Sequence, residues 1–555
     1  METANGALAM RKAGPVETLG VFRAIPPDPD GLSAPLESLL TAGGDPRLNI
    51  HPVRMLNRYS CRSWPNPEAF TFASSTASNI SERGFAAAAA IRRQLLGWTG
   101  TTDLATACNR QAERLRAQIR TTLRLDRSGI EIVFSPSGTD SEVHALYVAQ
   151  ALLGGPLVNV IVAADETGSG APEATRGLHF SSFTAQGEPV FKGERIPGFA
   201  DDTTNISIPL REKDGELRGN AAIDRAVAAA VAESVASGKR VVLHTMDSSK
   251  FGWRCPSSEC VRQIQENWGR SVQVIVDACQ MRLSRPRLGY YLSRGFLVLI
   301  TGSKYFAGPP FSGALLVPAA VSAVMERMDS IPAGLRLYAN GNDWPIRWRG
   351  VRAKLRSVPN VGQLLRWCAA AEEMRAYFDV PAAYRLSALQ KFASTVEELL
   401  AGKQNLQLLP AYESSGVEAL GPAALDDEEM ATRTIFPFLV RRHGKLLSLD
   451  DCARVYRALH CDMSHLLPAL APVAQRHVAA ASCQIGQPVP VLDRSEGAVG
   501  TLRISASARV VSETWRASGE SGPPNELNRR LDQVRLILDK IDLLLENLDA
   551  LPVCP

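Results

Sequence analysis

The sequence predicts an α/β protein: a three-layer, mostly parallel sheet with a smaller α+β C-terminal domain behind it. Three observations carry this. Between residues 129 and 318 short apolar runs alternate with helical stretches. Those runs are nearly continuous in Val, Ile and Leu, as strands buried on both faces are. From about residue 361 the pattern changes to helices followed by two strand-like runs. The chain has 555 residues, which suits two or three domains.

Residues 1 to about 50 are rich in Pro, Gly and Asp (PPDPDG, GGDPR) and read as an irregular arm. Residues 80–98 are strongly helix-forming, with Ser81 as cap, and 104–124 follow as another helix. The expected strands are IEIVF (131–134 at its core), LVNVIVAA (157–164), RVVLHTM (240–246), VQVIVDA (272–278), FLVLITG (296–302) and GALLVP (313–318). The aromatic, basic stretch after 330 reads as loop. Its WPIRWRG run (344–350) suits a cation–π surface cluster, or a contact to an acidic or phosphate group in trans. TIFPFLV (434–440) and LRISASARVV (502–511) are the later strands. The expected division is 1–100 for arm and first helix, 101–330 for the large domain, 331–360 for a connecting loop and 361–555 for the small domain. At the end, Leu527, Leu531, Val534, Leu538, Ile541, Leu545 and Leu548 repeat at 4-3 spacing. Such a stripe packs on its own domain or on a second subunit.

Bulk properties exclude several classes. A net charge of +4 over this length argues for neither nucleic acid nor a membrane surface. No apolar run approaches the 18 or so residues of a membrane helix. METANGALAMRKAGPVETLG lacks an apolar core followed by a cleavage site, so a secretory signal is not expected. Ten cysteines without a CxxC pair fit reduced thiols in a cytoplasmic protein, and eight histidines show no metal-ligand spacing.

Chemistry concentrates at strand ends, where such folds keep their sites. Lys304 follows FLVLITG, in TGSKYFAGPP (301–310). A loop lysine ordinarily holds its ammonium in water, whereas a lysine held in a cleft can serve as an amine nucleophile. Asp277 ends VQVIVD, 27 residues earlier. A buried carboxylate there needs an Arg, an N–H or a protonated heterocyclic nitrogen. Ser137, Gly138, Thr139 and Asp140 open a helix after IEIVF. They make a plain N-cap or an anion site. A phosphate cradle, a carboxylate and an amine at successive strand ends match the phosphate, pyridine nitrogen and aldehyde of pyridoxal 5′-phosphate.

Around these residues the chain resembles the fold-type I pyridoxal-phosphate enzymes, in particular the class V aminotransferase group with cysteine desulfurases and kynureninase. Thr301, Ser303 and Gly308-Pro309 match that group around the lysine, VDACQ (276–280) matches its Asp-x-x-Gln element, and HTMDSSKFGWRCP (244–256) supplies a polar pair, Ser248 and Ser249. The resemblance implies a Schiff base on Lys304, Asp277 against the ring nitrogen, Gln280 on the 3-oxygen and a Thr301 hydroxyl on the phosphate. Ser248 and Ser303 join the same cofactor-binding set. GQPV (486–489) and LRIS (502–505) match the element whose arginine holds a substrate carboxylate, implying Arg503, with Arg509 as the alternative.

Two departures stand out. The group's ring-stacking residue falls at Glu166 or Thr167, neither of which has a ring, and its His before the lysine is Ser303. The implied activity is that of an aminotransferase or amino-acid lyase working as a homodimer on an amino acid or amine, a small-molecule substrate. A desulfurase using Cys483, twenty residues before Arg503, is the first alternative. A binding protein that kept the fold and lost the chemistry is the second. The hydroxyl-rich stretch 57–81 suits a structured arm or a segment reaching over a neighbouring site.

Overall fold

The computed structural model describes residues 29–126, 128–212, 214–410, 425–494, 497–517 and 525–551. The first 28 residues, which hold most of the Pro-rich arm and the expected absence of a signal, lie outside them, as do 495 and 496 of the loop before Arg503.

Seven strands form the larger sheet. In spatial order they are Glu131–Ser135, Gly313–Val317, Leu297–Thr301, Val272–Asp277, Arg240–Met246, Leu157–Val162 and Thr204–Ile208. Gly313–Val317 runs antiparallel to both neighbours, and every other pairing is parallel. Six of these strands sit where the apolar runs predict. Thr204–Ile208 escapes the pattern because it is an edge strand, half exposed and polar in alternate positions.

Alternate side chains of the central strands enter two separate cores. Ile132, Val160, Leu243, Val276 and Ile300 lie in one, with Ile223, Ile264 and Leu365 from flanking helices. Val133, Val242, Ile275, Leu299 and Leu315 lie in the other, with Val143 and Leu146. That double burial is why the runs are apolar at every position rather than every second one.

The second core corrects the reading of 344–350. Trp344 and Trp348 are fully buried, and Trp344 packs against His144 and Tyr147. The run is no surface cluster, and the wider region 331–360, expected as loop, carries the turns Ala333–Leu337 and Gly341–Asp343 and the helix Arg349–Lys354.

A second sheet joins distant parts of the chain, in the order Phe70–Phe72, Cys483–Arg494, Gly497–Ser505, Ile435–Arg442 and Lys445–Leu446, with Leu406–Leu408 also on Ile435–Arg442. The run 502–511 is not one strand. It ends at Ser505, and Ala508–Ser512 is helical. Ser81 caps the helix Glu82–Thr99 as expected, accepting from Gly84 N–H at 2.8 Å. The final helix, Glu526–Glu546, buries Leu531, Val534, Leu538, Ile541 and Leu545 against helices Ala382–Ala401 and Leu449–Leu459 of the same chain. Its apolar stripe is spent internally. No described helix is long and apolar enough to cross a membrane.

Candidate active site

Lys304 lies three residues past the end of Leu297–Thr301. Its turn is held by Ala307 N–H donating to Lys304 O at 2.9 Å and Gly308 N–H donating to Gly302 O at 3.0 Å. Gly302 is needed there: a Cβ would sit 2.4 Å from Ala370 Cβ. Asp277 ends the adjacent parallel strand. Its carboxylate accepts from Thr167 Oγ1 at 2.9 Å and from Cys279 N–H at 3.0 Å. The helix Gly138–Leu153 begins beside them, capped by Ser137, whose Oγ accepts from Asp140 N–H at 3.2 Å.

One cavity of about 320 Å³ brings these groups together. Ser137, Gly138, Thr139, Ser248, Asp277, Gln280, Thr301, Ser303, Lys304 and Arg503 all line it. A wider hollow of about 1760 Å³ lies between residues 34–79 and 449–488 and contains none of them.

Burial pushes the Lys304 amine down to about 8, and the charges of Lys250 and Arg503 push the same way. A useful fraction is therefore neutral near physiological pH, as a nucleophilic amine requires. Burial raises Asp140 to about 7.

The residues fit pyridoxal phosphate. The first-turn N–H groups of Gly138 and Thr139 have no acceptor within their helix. Among the described residues the hydroxyls of Thr139, Ser248 and Ser303 and the amine of Lys304 also make no hydrogen bond to protein. A Cβ on Gly138 would lie 2.7 Å from Cys279 Sγ, so only glycine leaves the cradle open. Free donors at a helix N-terminus, a carboxylate and an amine in one small cavity answer the three polar ends of that cofactor.

Other expected residues are already engaged. Thr301 Oγ1 donates to Cys279 O at 2.6 Å, leaving its lone pairs free to accept. Gln280 Oε1 accepts from Arg282 Nη1 at 2.8 Å and its Nε2 donates to Ser75 O at 3.0 Å, so one amide hydrogen remains. Ser249 turns away, donating to Glu166 and accepting from Phe251 and Trp253 N–H at 3.1 Å each. Glu166 also pairs with Arg211 at 3.2 Å, and burial raises its carboxyl to about 7. Neither Glu166 nor Thr167 offers a ring. The aromatic side chains lining the cavity are Tyr59 and Phe311, with centroids 6.5 Å apart.

Arg503 and Arg509 part company. Arg503 is 2% exposed, and its guanidinium donates to Gln487 O at 2.7 Å, Lys250 O at 3.1 Å and Thr76 Oγ1 at 3.1 Å. Its Nε is buried without a partner. Gly486, opposite it in the sheet, leaves room for the side chain, since a Cβ there would approach Arg503 Nε to 3.2 Å. Arg509 pairs with Glu513 at 2.6 Å and does not line the cavity.

Cys483 does not line it either. It is fully buried at the start of its strand, opposite Phe70, with Sγ donating to Ala481 O and its thiol pushed up to about 11 by burial. An inert, packed thiol corrects the reading of Cys483 as a loop nucleophile.

The stretch 57–81 lines this chain's own cavity through Tyr59, Ser75, Thr76 and Ala77. Its density of hydroxyls was the visible signal. Lys250, Arg47, Phe311 and Cys279 also line the cavity without having been singled out. For Lys250 a signal existed, because it directly follows the polar pair Ser248-Ser249.

No protein-family model matches the sequence, and no curated protein matches it. Solved structures do share similarity. The cysteine desulfurase CsdA from Escherichia coli is 14% identical over 86% of this chain and 95% of its own, with a TM-score of 0.47. A NifS-like protein from Rickettsia africae is 12% identical over 85% and 99%, also at 0.47. An S-selective transaminase from Arthrobacter is 14% identical over 83% and 85%, at 0.44. Likenesses this remote do not identify the chain; the geometry around Lys304 stands by itself.

Proposed function

We propose that this chain is a pyridoxal-phosphate-dependent enzyme of the fold-type I arrangement, with a three-layer large domain and a smaller C-terminal one, acting on an amino acid as an aminotransferase or lyase. The convergence of Lys304, Asp277 and the Gly138 helix N-terminus on one cavity carries this reading. Bound there, the cofactor supplies an electron sink for breaking a bond at the α-carbon of an amino acid.

The chain's own residues do the rest. Gly138 and Thr139 N–H groups and the Thr139 and Ser303 hydroxyls would hold the phosphate. Asp277 keeps the ring nitrogen protonated, oriented by its bonds from Thr167 and Cys279. Lys304 would hold the aldehyde end of the cofactor, and its buried amine would be placed to take or return a proton at the substrate's α-carbon. Arg503, fixed by its bonds to Gln487, Thr76 and Lys250, would draw the substrate carboxylate by its charge and its remaining N–H groups. Tyr59 and Phe311 wall the cavity and limit water.

The desulfurase alternative loses its support with the burial of Cys483. The inactive alternative is weakened because a relic has no chemical need for an uncommitted, depressed lysine beside a strand-end carboxylate.

Borohydride reduction of cofactor-treated protein, then peptide mapping, tests the reading. The pyridoxyl group is expected on the peptide holding 301–310. Label on another lysine, or none, overturns it.

A further inference from the structure

The cavity holds more cationic side chains than the proposed chemistry assigns. Four cations line it: Lys304, Lys250, Arg503 and Arg47. Arg47 is neutralised by Asp45, with Nε to Oδ1 at 2.9 Å and Nη2 to Oδ2 at 2.5 Å. Lys304 is assigned to the cofactor and Arg503 to one substrate carboxylate. Lys250 remains.

The anions do not cancel it. Glu166 is paired with Arg211 at 3.2 Å and hydrogen-bonded by Ser249. Glu142 faces His244 Nδ1 at 3.3 Å. Asp277 is assigned to the ring nitrogen. Among the described residues no carboxylate lies within 4.0 Å of either the Lys250 amine or the Arg503 guanidinium. Arg503 Nη1 donates to the main-chain oxygen of Lys250 at 3.1 Å, and the Arg503 charge is felt at the Lys250 amine. Burial, with Arg503 alongside, holds the Lys250 amine down to about 8. Two adjacent cations, one buried and one largely so, that make no ion pair and have only the more distant Glu166 acting on both are costly unless something anionic arrives to share them.

We infer that Lys250 and Arg503 together form a two-point anion clamp, and that the substrate is an amino acid whose side chain carries a second acidic group. Arg503 takes the α-carboxylate and Lys250 takes the side-chain acid. A cavity of about 320 Å³, at the low end for a ligand site, limits that side chain to a few atoms once the cofactor is in place. The inference rests on the cofactor reading above.

Cofactor-loaded protein titrated with L-aspartate against L-asparagine, and with L-glutamate against L-glutamine, tests it. Two readouts serve: the cofactor's absorption band and the shift in melting temperature. In at least one pair the acid is expected to bind tighter than its neutral isostere by about tenfold or more, the scale of one charge-assisted hydrogen bond. Lys250→Gln should abolish that preference while the cofactor band persists, and Lys250→Arg should keep it. Equal binding of acid and amide in both pairs, or a preference that survives Lys250→Gln, overturns the clamp. If Lys250→Gln does not fold, the wild-type ratios and Lys250→Arg still decide. Protein that never develops a cofactor band overturns the cofactor reading itself, and the clamp with it.

Discussion

At the residue scale, burial rather than a bonded partner sets the charge of the two cavity lysines. This gives a pH prediction. Only the neutral amine attacks an aldehyde, and an ordinary lysine is neutral only above about 10.4. With Lys304 lowered to about 8, the rate of cofactor attachment should rise with pH and level off just above 8. Rapid mixing of apoprotein with cofactor measures it; a rise continuing to pH 10 contradicts the depressed amine. Asp277→Asn should retain the cofactor yet lower turnover by on the order of 10²-fold, the scale of losing one preorganised electrostatic contact. Turnover equal to wild type in a steady-state assay refutes the role. Arg503→Lys should raise KM for the amino acid with little change in cofactor affinity, because an ammonium cannot hold the bonds to Gln487, Thr76 and Lys250 that fix the guanidinium and still face the carboxylate. Arg509→Lys should leave KM alone, since its partner is Glu513. The reverse pattern would exchange the assignments.

At the element scale, the strand ends and helix start that form the site depend on close backbone approaches. Gly313, antiparallel to Ser135, would place a Cβ 2.5 Å from the Ser137 main chain. The cap of the phosphate-facing helix therefore lies directly against a neighbouring strand. The closing helix Glu526–Glu546 is a different case. Leu538 is fully buried within its own chain. Leu538→Ala should cost about 2–5 kcal/mol of stability, as a buried leucine truncation does, with no change in sedimentation. Dissociation on that substitution, at unchanged melting temperature, would restore the intersubunit reading of the stripe.

For the whole molecule, the expected working unit is a homodimer, because the resemblance implies that two chains complete each site. The chain's own arm already supplies Tyr59, Ser75 and Thr76 to the cavity, so a partner's share is smaller than the hydroxyl-rich stretch suggested. Sedimentation combined with assay across a dilution series checks this: activity should fall as the dimer dissociates. Full activity in a monomer rules it out.

Six of the seven strands of the larger sheet, and the order of Ser137, Asp277 and Lys304 at their ends, were legible in the sequence. Burial on both faces forces unbroken apolar runs, and a polar group directly after such a run is conspicuous. Arg503 was legible for a weaker reason, its place after GQPV, while the strand expected over 502–511 stops at Ser505. What only the tertiary structure decided is which side chains share the cavity and which are spent elsewhere. Lys250 looked like any loop lysine until Arg503, 253 residues away, was found bonded to its main chain. Cys483 stayed open as an alternative until Phe70 paired across it, and the tryptophans at 344 and 348 read as surface until Trp344 was found against His144 and Tyr147 and Trp348 against Trp344 and Ser322. Local sequence dictates periodicity and propensity, which are short-range; charge balance and solvent access are sums over distant residues that only the folded chain brings together.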